Sequence, residues 1–381
     1  MARILIVGGG IAGTAAALAL DKAGFEVVVH EAHPESAGDI GAFLTLASNG
    51  MRALAQFGAA EAVAEAGFDL TTMRVIDQTG AEIAKVPLGE PDHPLTRYRC
   101  LRRAELAAAL QSEAERRGIP IVHAARLDSL STDANGVTGG FTDGRTATGN
   151  LVIGADGLNS TVRSLIHPAT PGPRYAGQQV FYGYTTDAAP PSEPGLITMI
   201  RSSTAAFGYA VSPAGETYWF ARVSDAQLSP DEIADTTPAQ WRDRLVPLLR
   251  RDATPAADIV AATVEQLMVT NACDLPLGIP WRAGRTLIIG DAAHAASPAT
   301  GQGASMALED AVVLAKALRD APSTTSALTE YERLRRPRVE HNIMVSAQLT
   351  AGGAPSGTQY PVPQTDEELA RTLDWNTSLV S

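Results

Sequence analysis

The stretch IVGGGIAG at residues 6–13 constrains the fold more than any other part of the sequence. It follows an apolar, β-branched run and precedes the helical pattern TAAALALDKAG. In this G-x-G-x-x-G spacing, Gly8 allows a tight turn, Gly10 lets a phosphate approach the backbone, and Gly13 lets helix and strand pack closely. The run EVVVHEA follows, with Glu31 placed to accept hydrogen bonds from a ribose. The sequence therefore predicts a strand–helix–strand unit that binds a dinucleotide.

Two later motifs each place an aspartate after a buried strand. GADGLNSTVR, residues 154–163, carries Asp156 and Gly157, and GDAAHAASPATGQGASMALEDA, residues 290–311, carries Asp291. The glycine fingerprint alone does not separate NAD from FAD, so these later motifs decide the cofactor.

Taken together and in this order, the three motifs resemble those of flavoprotein monooxygenases of the para-hydroxybenzoate hydroxylase type. The likeness is to the compact branch that includes salicylate, urate and tetracycline hydroxylases, and it covers nearly the whole chain. It implies an α/β fold: a Rossmann-like FAD-binding domain of the GR2 type with an inserted, mostly antiparallel β-sheet substrate domain. The expected FAD-binding domain comprises residues 1–72, 97–171 and 272–350, and the expected substrate domain comprises residues 73–96 and 172–271. Residues 351–381 are the C-terminal tail, in which the Gly/Pro-rich stretch 351–369 is expected to be an extended arm.

The resemblance also implies the reaction. We expect FAD as cofactor, NADPH or NADH and O2 as co-substrates, and hydroxylation or epoxidation of an aromatic or natural-product small molecule through a flavin C4a-hydroperoxide. The alternative on the same scaffold is a dehydrogenase, reductase or oxidase that inserts no oxygen. A non-enzymatic flavin-binding module is a further alternative. A flavin halogenase is disfavoured because the four tryptophans are isolated and form no Trp-x-Trp pair.

The cofactor residues follow from the motifs that carry the resemblance. Pro298, Gly301 and Gly303 would form the catalytic environment of the flavin ring through their backbone, where a helix N-terminus stabilises negative charge on reduced flavin. Arg103, in RRAEL, would offset phosphate charge, although Arg102 is adjacent. The full set of predicted cofactor contacts is Gly8, Gly10, Ile11, Ala12, Gly13, Glu31, Gly41, Ala42, Arg103, Asp156, Gly157, Gly290, Asp291, Pro298, Gly301, Gln302, Gly303 and Ala304.

His294 lies within the third motif and invites a catalytic role. We interpret it as structural support for the flavin-binding turn, with proton transfer as the alternative because histidine titrates near neutral pH. Metal ligation is disfavoured because no partner with suitable spacing accompanies it, and no metal site is predicted elsewhere.

The substrate strand is placed by the resemblance at RYAGQQVFYGYTT, residues 174–186. Many relatives carry Trp and Arg before the glycine, where this chain has Phe181 and Tyr182. The loss of that arginine weakens the case for a carboxylate-bearing substrate, and Arg201 is the candidate replacement. Core packing is the alternative role for each aromatic residue. The predicted substrate residues are Phe181, Tyr182, Tyr184, Arg201 and Tyr209.

Composition limits the partners. A net charge of -12 argues against binding to nucleic acid or to an anionic membrane surface. The N-terminal apolar run is too short for a signal peptide or a membrane span, so we expect a cytoplasmic protein, either monomer or homodimer. Its two cysteines suggest no disulfide framework.

Overall fold

A computed structural model describes residues 2–34, 42–90, 93–134, 136–202, 204–352 and 364–380. Its strands are β1 (Arg3–Val7), β2 (Glu26–His30), β3 (Phe43–Leu46), β4 (Phe68–Leu70), β5 (Thr72–Asp77), β6 (Glu82–Pro87), β7 (Tyr98–Arg102), β8 (Ile121–Val122), β9 (Leu127–Thr132), β10 (Val137–Phe141), β11 (Thr146–Gly149), β12 (Leu151–Gly154), β13 (Arg174–Thr185), β14 (Leu196–Arg201), β15 (Ala206–Val211), β16 (Thr217–Ser224), β17 (Leu267–Asp274), β18 (Arg282–Ala283) and β19 (Thr286–Ile288).

The α-helices are α1 (Ile11–Lys22), α2 (Ser48–Gln56), α3 (Ala60–Glu65), α4 (Arg103–Arg116), α5 (Thr161–Ile166), α6 (Pro230–Asp235), α7 (Pro238–Leu249), α8 (Ala256–Ala262), α9 (Asp291–His294), α10 (Gly303–Asp320), α11 (Thr324–Thr350) and α12 (Asp366–Leu373). Short 3-10 turns occur at Pro94–Thr96 and Pro298–Thr300. No helix in the described ranges is long and apolar enough to cross a membrane.

The first sheet has the order β18-β19-β12-β1-β2-β8, and all its pairs are parallel except β18–β19. Its central strands are buried on both faces, which explains their continuous apolar runs. Since carboxyl ends of parallel strands meet at one edge, the turns after β1, β12 and β19 converge there. Those turns carry the three motifs.

A second, seven-stranded sheet has the order β17-β13-β16-β15-β14-β5-β6 and is antiparallel apart from the β14–β5 pair. Side chains alternate between its two faces. One face packs Phe181, Tyr209 and Trp219 against α7 and α8, and the other carries Tyr184 and Tyr218. The predicted fold class, an α/β dinucleotide-binding fold joined to a mostly antiparallel sheet, is confirmed. The predicted domain boundaries stay a prediction.

The expectation of an extended arm over residues 351–369 is wrong where residues 366–373 begin a helix. This helix is α12, which has a Thr365 capping box and buries Leu369 and Leu373. The apolar spacing of those two leucines matches one helix face, and burial of that face outweighs the Gly/Pro-rich composition that precedes it.

Five charged or titratable side chains form a cluster beneath the third motif, and we call it the buried charge cluster. Asp310 accepts hydrogen bonds from His294 Nε2 at 2.6 Å and from Arg335 Nε at 2.8 Å. Arg335 also donates to Glu309 at 2.5 Å, and Arg338 binds both oxygens of Glu309 at 2.7 and 2.8 Å. The neighbouring cations hold the pKa values of Asp310 and Glu309 low despite their burial.

We predict that replacing Arg335 with methionine destabilises the apoprotein by about 3–5 kcal/mol, because two buried carboxylates lose a partner. Arg333→Met is the matched control, since the Arg333–Glu330 pair lies at the surface and contributes at most about 1 kcal/mol. The free energy of unfolding in urea measures both. Equal losses in the two variants would show that the cluster adds nothing to stability.

Candidate active site

The glycine-rich turn joins β1 to α1. A Cβ on Gly8 would lie 2.4 Å from the Ala155 carbonyl oxygen, and one on Gly13 would lie 1.9 Å from the Gly8 carbonyl oxygen. A Cβ on Gly10, in contrast, meets nothing within 4 Å. Gly10 is the N-cap of α1 and its helix has no side-chain cap, so the first N–H groups of α1 are available to an anion.

Two cavities meet beside this turn. The first, of about 670 Å³, lies against the glycine-rich turn and the end of β2, and we call it the glycine-side cavity. The second, of about 360 Å³, reaches the seven-stranded sheet, and we call it the sheet-side cavity. Their linings share Gly10, Ile11, Arg103, Ala155 and Gly157.

Polar groups around the glycine-side cavity are held by short contacts. Glu31 accepts hydrogen bonds from the Gly9 N–H at 2.6 Å and the His33 N–H at 2.8 Å. Gln111 reaches from α4 and donates to the Gly9 carbonyl at 2.6 Å. Burial lowers the pKa of His30 to about 4, so its ring is neutral at pH 7, and it stacks on Phe141. The contacts of Glu31 and Gln111 with Gly9 hold the glycine-rich turn in place without a ligand.

Asp156 lies on the other wall of the glycine-side cavity. Its carboxylate accepts from Ser160 Oγ at 2.5 Å and from the Val162 N–H at 3.0 Å. These bonds leave its remaining lone pairs for a ligand hydroxyl.

The sheet-side cavity is bounded by the third motif. Pro298, Gly301, Gly303 and Asp291 lie in its wall. Helix α10 begins at Gly303 without a side-chain cap, which gives this cavity its own helix N-terminus.

The buried charge cluster lies directly behind this wall. Asp310 accepts from the Gly290 N–H at 3.0 Å, next to Asp291. Asn49 donates to Glu309 at 2.7 Å and to Gln302 at 3.1 Å. His294 is buried, contacts Asp310, and is absent from the described lining of both cavities. It therefore supports the turn in this structure.

The two adjacent arginines have different surroundings. Arg103 lines both cavities at their junction. Arg102 binds Glu216 at 2.7 Å and lies over the Tyr184 ring, 4.4 Å from its centroid. The placement favours Arg103 as the arginine that faces a ligand.

Most predicted cofactor contacts line one or both cavities: Gly8, Gly10, Ile11, Ala12, Glu31, Ala42, Arg103, Asp156, Gly157, Asp291, Pro298, Gly301, Gly303 and Ala304. Gly13 and Gly290 instead permit close packing, Gly290 against Ala12. Gln302 lines a separate cavity with Asn49 and Arg338. Gly41 lies outside the described residues.

Of the predicted substrate residues, Tyr182 lines the sheet-side cavity. Phe181 and Tyr209 are buried on the opposite face of the sheet, and Tyr184 packs under Arg102. Arg201 is exposed at the end of β14 and is not among the described lining residues. Strand alternation explains the division, since odd-numbered residues of β13 face α7 and α8.

Sequence reasoning missed several lining residues. Arg222 and Phe220 come from β16, Val180 from β13, and Phe43 and Thr45 from β3. These residues come from three strands that are far apart in the sequence, and none of them belongs to a recognisable motif. The alternation of Phe220 and Arg222 in TYWFARV is the one available signal, because it places both on one face.

The arrangement fits an extended dinucleotide with a flat ring system. Two helix N-termini open onto joined cavities, one beside glycines that admit phosphate and one beside an apolar sheet face. A Cβ on Gly10, Gly157 or Gly303 would enter open space, so the backbone at these positions is accessible to a ligand.

A family model described as "FAD binding domain" matches residues 1–346. The chain belongs to this FAD-binding family. A 3-amino-4-hydroxybenzoate 2-monooxygenase, PtmB3 of Streptomyces platensis, is 32% identical over 88% of this chain and 85% of its own length. An FAD-dependent urate hydroxylase of Klebsiella pneumoniae is 31% identical over 90% of this chain and 88% of its own length.

A solved structure gives the same result. Klebsiella pneumoniae HpxO in complex with FAD and uric acid superposes with a TM-score of 0.82 at 27% identity, over 99% of this chain and 93% of that one. The predictions of an FAD cofactor and of an FAD-dependent monooxygenase, for which NAD(P)H is the typical co-substrate in this family, are confirmed. Oxygen insertion is thus favoured over the dehydrogenase or oxidase alternative.

We predict that Gly10→Ala lowers FAD affinity at least tenfold, because its methyl group occupies space where a phosphate approaches the backbone. The apoprotein should stay folded, with a loss of about 1 kcal/mol or less at this N-cap. Gly172→Ala is the control, since its Cβ also meets nothing but lies outside the described cavity linings. FAD titration by fluorescence measures the affinity, and wild-type binding by Gly10→Ala would contradict this role.

Proposed function

We propose that one FAD spans both cavities. Its pyrophosphate lies against the N-terminus of α1 at Gly10, and its adenosine ribose binds Glu31. Its isoalloxazine ring lies in the sheet-side cavity beside Pro298, Gly301 and Gly303. The observation that carries this proposal is the junction of the two cavities between two helix N-termini.

The chain's own groups then act on the ring electrostatically. Bound FAD supplies hydride acceptance from NADPH or NADH and the activation of O2. The free N–H groups at the start of α10 stabilise negative charge on the reduced ring. Arg103 offsets phosphate charge at the junction, and Asp291 accepts hydrogen bonds from the ribityl chain.

The substrate in this proposal is an aromatic or natural-product small molecule that is hydroxylated. Phe43, Val180 and Phe220 give the sheet-side cavity an apolar lining that suits a planar ring and excludes water. The two relatives are named for an aminohydroxybenzoate and for urate. Burial raises the pKa of Tyr182 to about 12, so at neutral pH this phenol is a hydrogen-bond donor to the substrate.

The predicted division into domains belongs to this proposal. Residues 1–72, 97–171 and 272–350 would bind FAD, while residues 73–96 and 172–271 would supply the substrate sheet. The cytoplasmic location and the state of monomer or homodimer stay predictions.

A panel of aromatic compounds, scored by NAD(P)H oxidation under 18O2, tests the function. We expect at least one compound to stimulate oxidation tenfold or more and to gain one labelled oxygen atom. The reason is that a compound which fits the apolar cavity excludes water from the isoalloxazine ring. Oxidation of NAD(P)H is then coupled to oxygen insertion into that compound.

Measurement of hydrogen peroxide is the control for uncoupled turnover. If every active compound gave an oxidised product without label, or peroxide equal to the NAD(P)H consumed, the dehydrogenase or oxidase alternative would replace the proposed function.

A further inference from the structure

Asn49, in the first turn of α2, forms hydrogen bonds with two residues of the third motif. Its Nδ2 atom donates to Gln302 Oε1 at 3.1 Å and to Glu309 Oε1 at 2.7 Å. Burial raises the pKa of the Glu309 carboxyl, but Arg335, Arg338 and these hydrogen bonds outweigh that effect and hold the pKa low. Since an ionised carboxylate only accepts hydrogen bonds, Asn49 must present its NH2 group to Glu309, which fixes the orientation of the amide.

Further contacts join the start of α2 to α10. The Ala47 N–H donates to Ser305 Oγ at 3.2 Å, and a Cβ on Gly50 would lie 2.8 Å from the same oxygen. Residues 302, 305 and 309 recur at the spacing of one helix face. The start of α2 therefore contacts α10 at three successive positions along one face.

The loop that ends at Gln302 lies between two cavities. Gly301 and Gly303 line the sheet-side cavity, whereas Thr300 and Gln302 line a further cavity of about 430 Å³. Asn49 also lines this further cavity, and there it anchors the Gln302 side chain. The glycines thus present backbone to the sheet-side cavity, while a side chain holds the loop from the neighbouring one.

Gln302 is also the N-cap residue of α10. Gly303 and Ala304, which follow it, supply the first free N–H groups of the helix, and both residues line the sheet-side cavity. The position of the Gln302 backbone therefore determines where these N–H groups point. Donors that are already in place stabilise negative charge most effectively.

We propose that Asn49 is a positioning residue, which holds the N-terminus of α10 against the ring of bound FAD and thereby raises the reduction potential of that FAD. Reduction adds negative charge to the ring, so a displaced helix N-terminus weakens the binding of reduced FAD more than that of oxidised FAD. This inference rests on the proposed function, in which the ring lies beside Gly301 and Gly303.

The test compares FAD-loaded wild type with Asn49→Leu and Gln302→Leu, because leucine forms no hydrogen bond in place of either amide. The reduction potential is measured without oxygen, by equilibration with a redox dye of known potential during slow reduction. We expect each variant to bind reduced FAD at least tenfold more weakly relative to oxidised FAD, which lowers the potential by about 30 mV.

The double variant Asn49→Leu/Gln302→Leu shows whether the two side chains act together. Because Asn49 acts through Gln302, the potential of the double variant should lie within about 10 mV of the lower single variant, not at the sum of the two shifts.

Asn271→Leu is the matched control. Asn271 also makes two hydrogen bonds, accepting from the Leu228 N–H at 3.0 Å and donating to its carbonyl at 2.8 Å. It lies outside the described linings of the glycine-side and sheet-side cavities. Asn271→Leu should lose stability in urea to a similar extent as Asn49→Leu but keep the wild-type potential.

The proposal is overturned if either test variant keeps the wild-type potential, if Asn271→Leu lowers it equally, or if the two shifts add in the double variant. Tenfold weaker binding of oxidised FAD by Gln302→Leu would overturn it as well, because Gln302 would then contact the cofactor directly. If Asn49→Leu does not fold, Gln302→Leu decides alone, since it removes the same anchor and leaves the bond between Asn49 and Glu309 intact.

This inference and the proposed function fail differently. A protein that takes up no FAD, or that inserts no labelled oxygen, contradicts the proposed function. A protein that binds FAD and oxygenates a substrate, but whose potential does not depend on Asn49, contradicts only the assignment of Asn49.

Discussion

The buried pairing of Arg335 with Asp310 and Glu309 is the interaction on which the ring end of the site depends. Asp310 fixes the Gly290 turn through a backbone hydrogen bond, and Glu309 reaches Gln302 through Asn49. Both turns that border the sheet-side cavity are therefore held by adjacent residues of α10, which α11 braces through Arg335 and Arg338. Because these pairs hold the two turns in place, their backbone N–H groups can contact a cofactor without rearranging. Preorganised donors of this kind stabilise negative charge most effectively.

Charged side chains border the site on two sides, and they differ in how completely they are paired. Asp310 and Glu309, behind the third motif, are paired with Arg335, and their further hydrogen bonds hold the turns beside the cavity in place. Arg222, in the opposite wall of the sheet-side cavity, is half-buried, and its Nη1 atom has no hydrogen-bond partner in the described part of the chain. Relatives named for an aminohydroxybenzoate and for urate share this scaffold, which agrees with the rule that substrate choice depends on site residues rather than on the fold.

Local rules govern the three motif-bearing turns, and most of the residues predicted there line one of the two cavities. Gly8, Gly10 and Gly13 are each required by steric or ligand contacts within one turn. The apolar runs that precede Asp156 and Asp291 predict buried strands. The substrate end could not be predicted in the same way. Phe181 and Tyr182 are neighbours in sequence but lie on opposite faces of a strand, and Arg222 enters the cavity only because β16 pairs with β13. Helix α12 was missed for a related reason, since Leu369 and Leu373 are buried where α12 contacts α2 and α10, which precede it by many residues.

A crystal structure of the protein with FAD bound would show directly whether one FAD spans both cavities. We predict a single FAD with its pyrophosphate on the backbone at Gly10 and its ring in the sheet-side cavity, beside Pro298 and Gly303 and facing β16. A ring bound in the glycine-side cavity, or a pyrophosphate away from the start of α1, would contradict it.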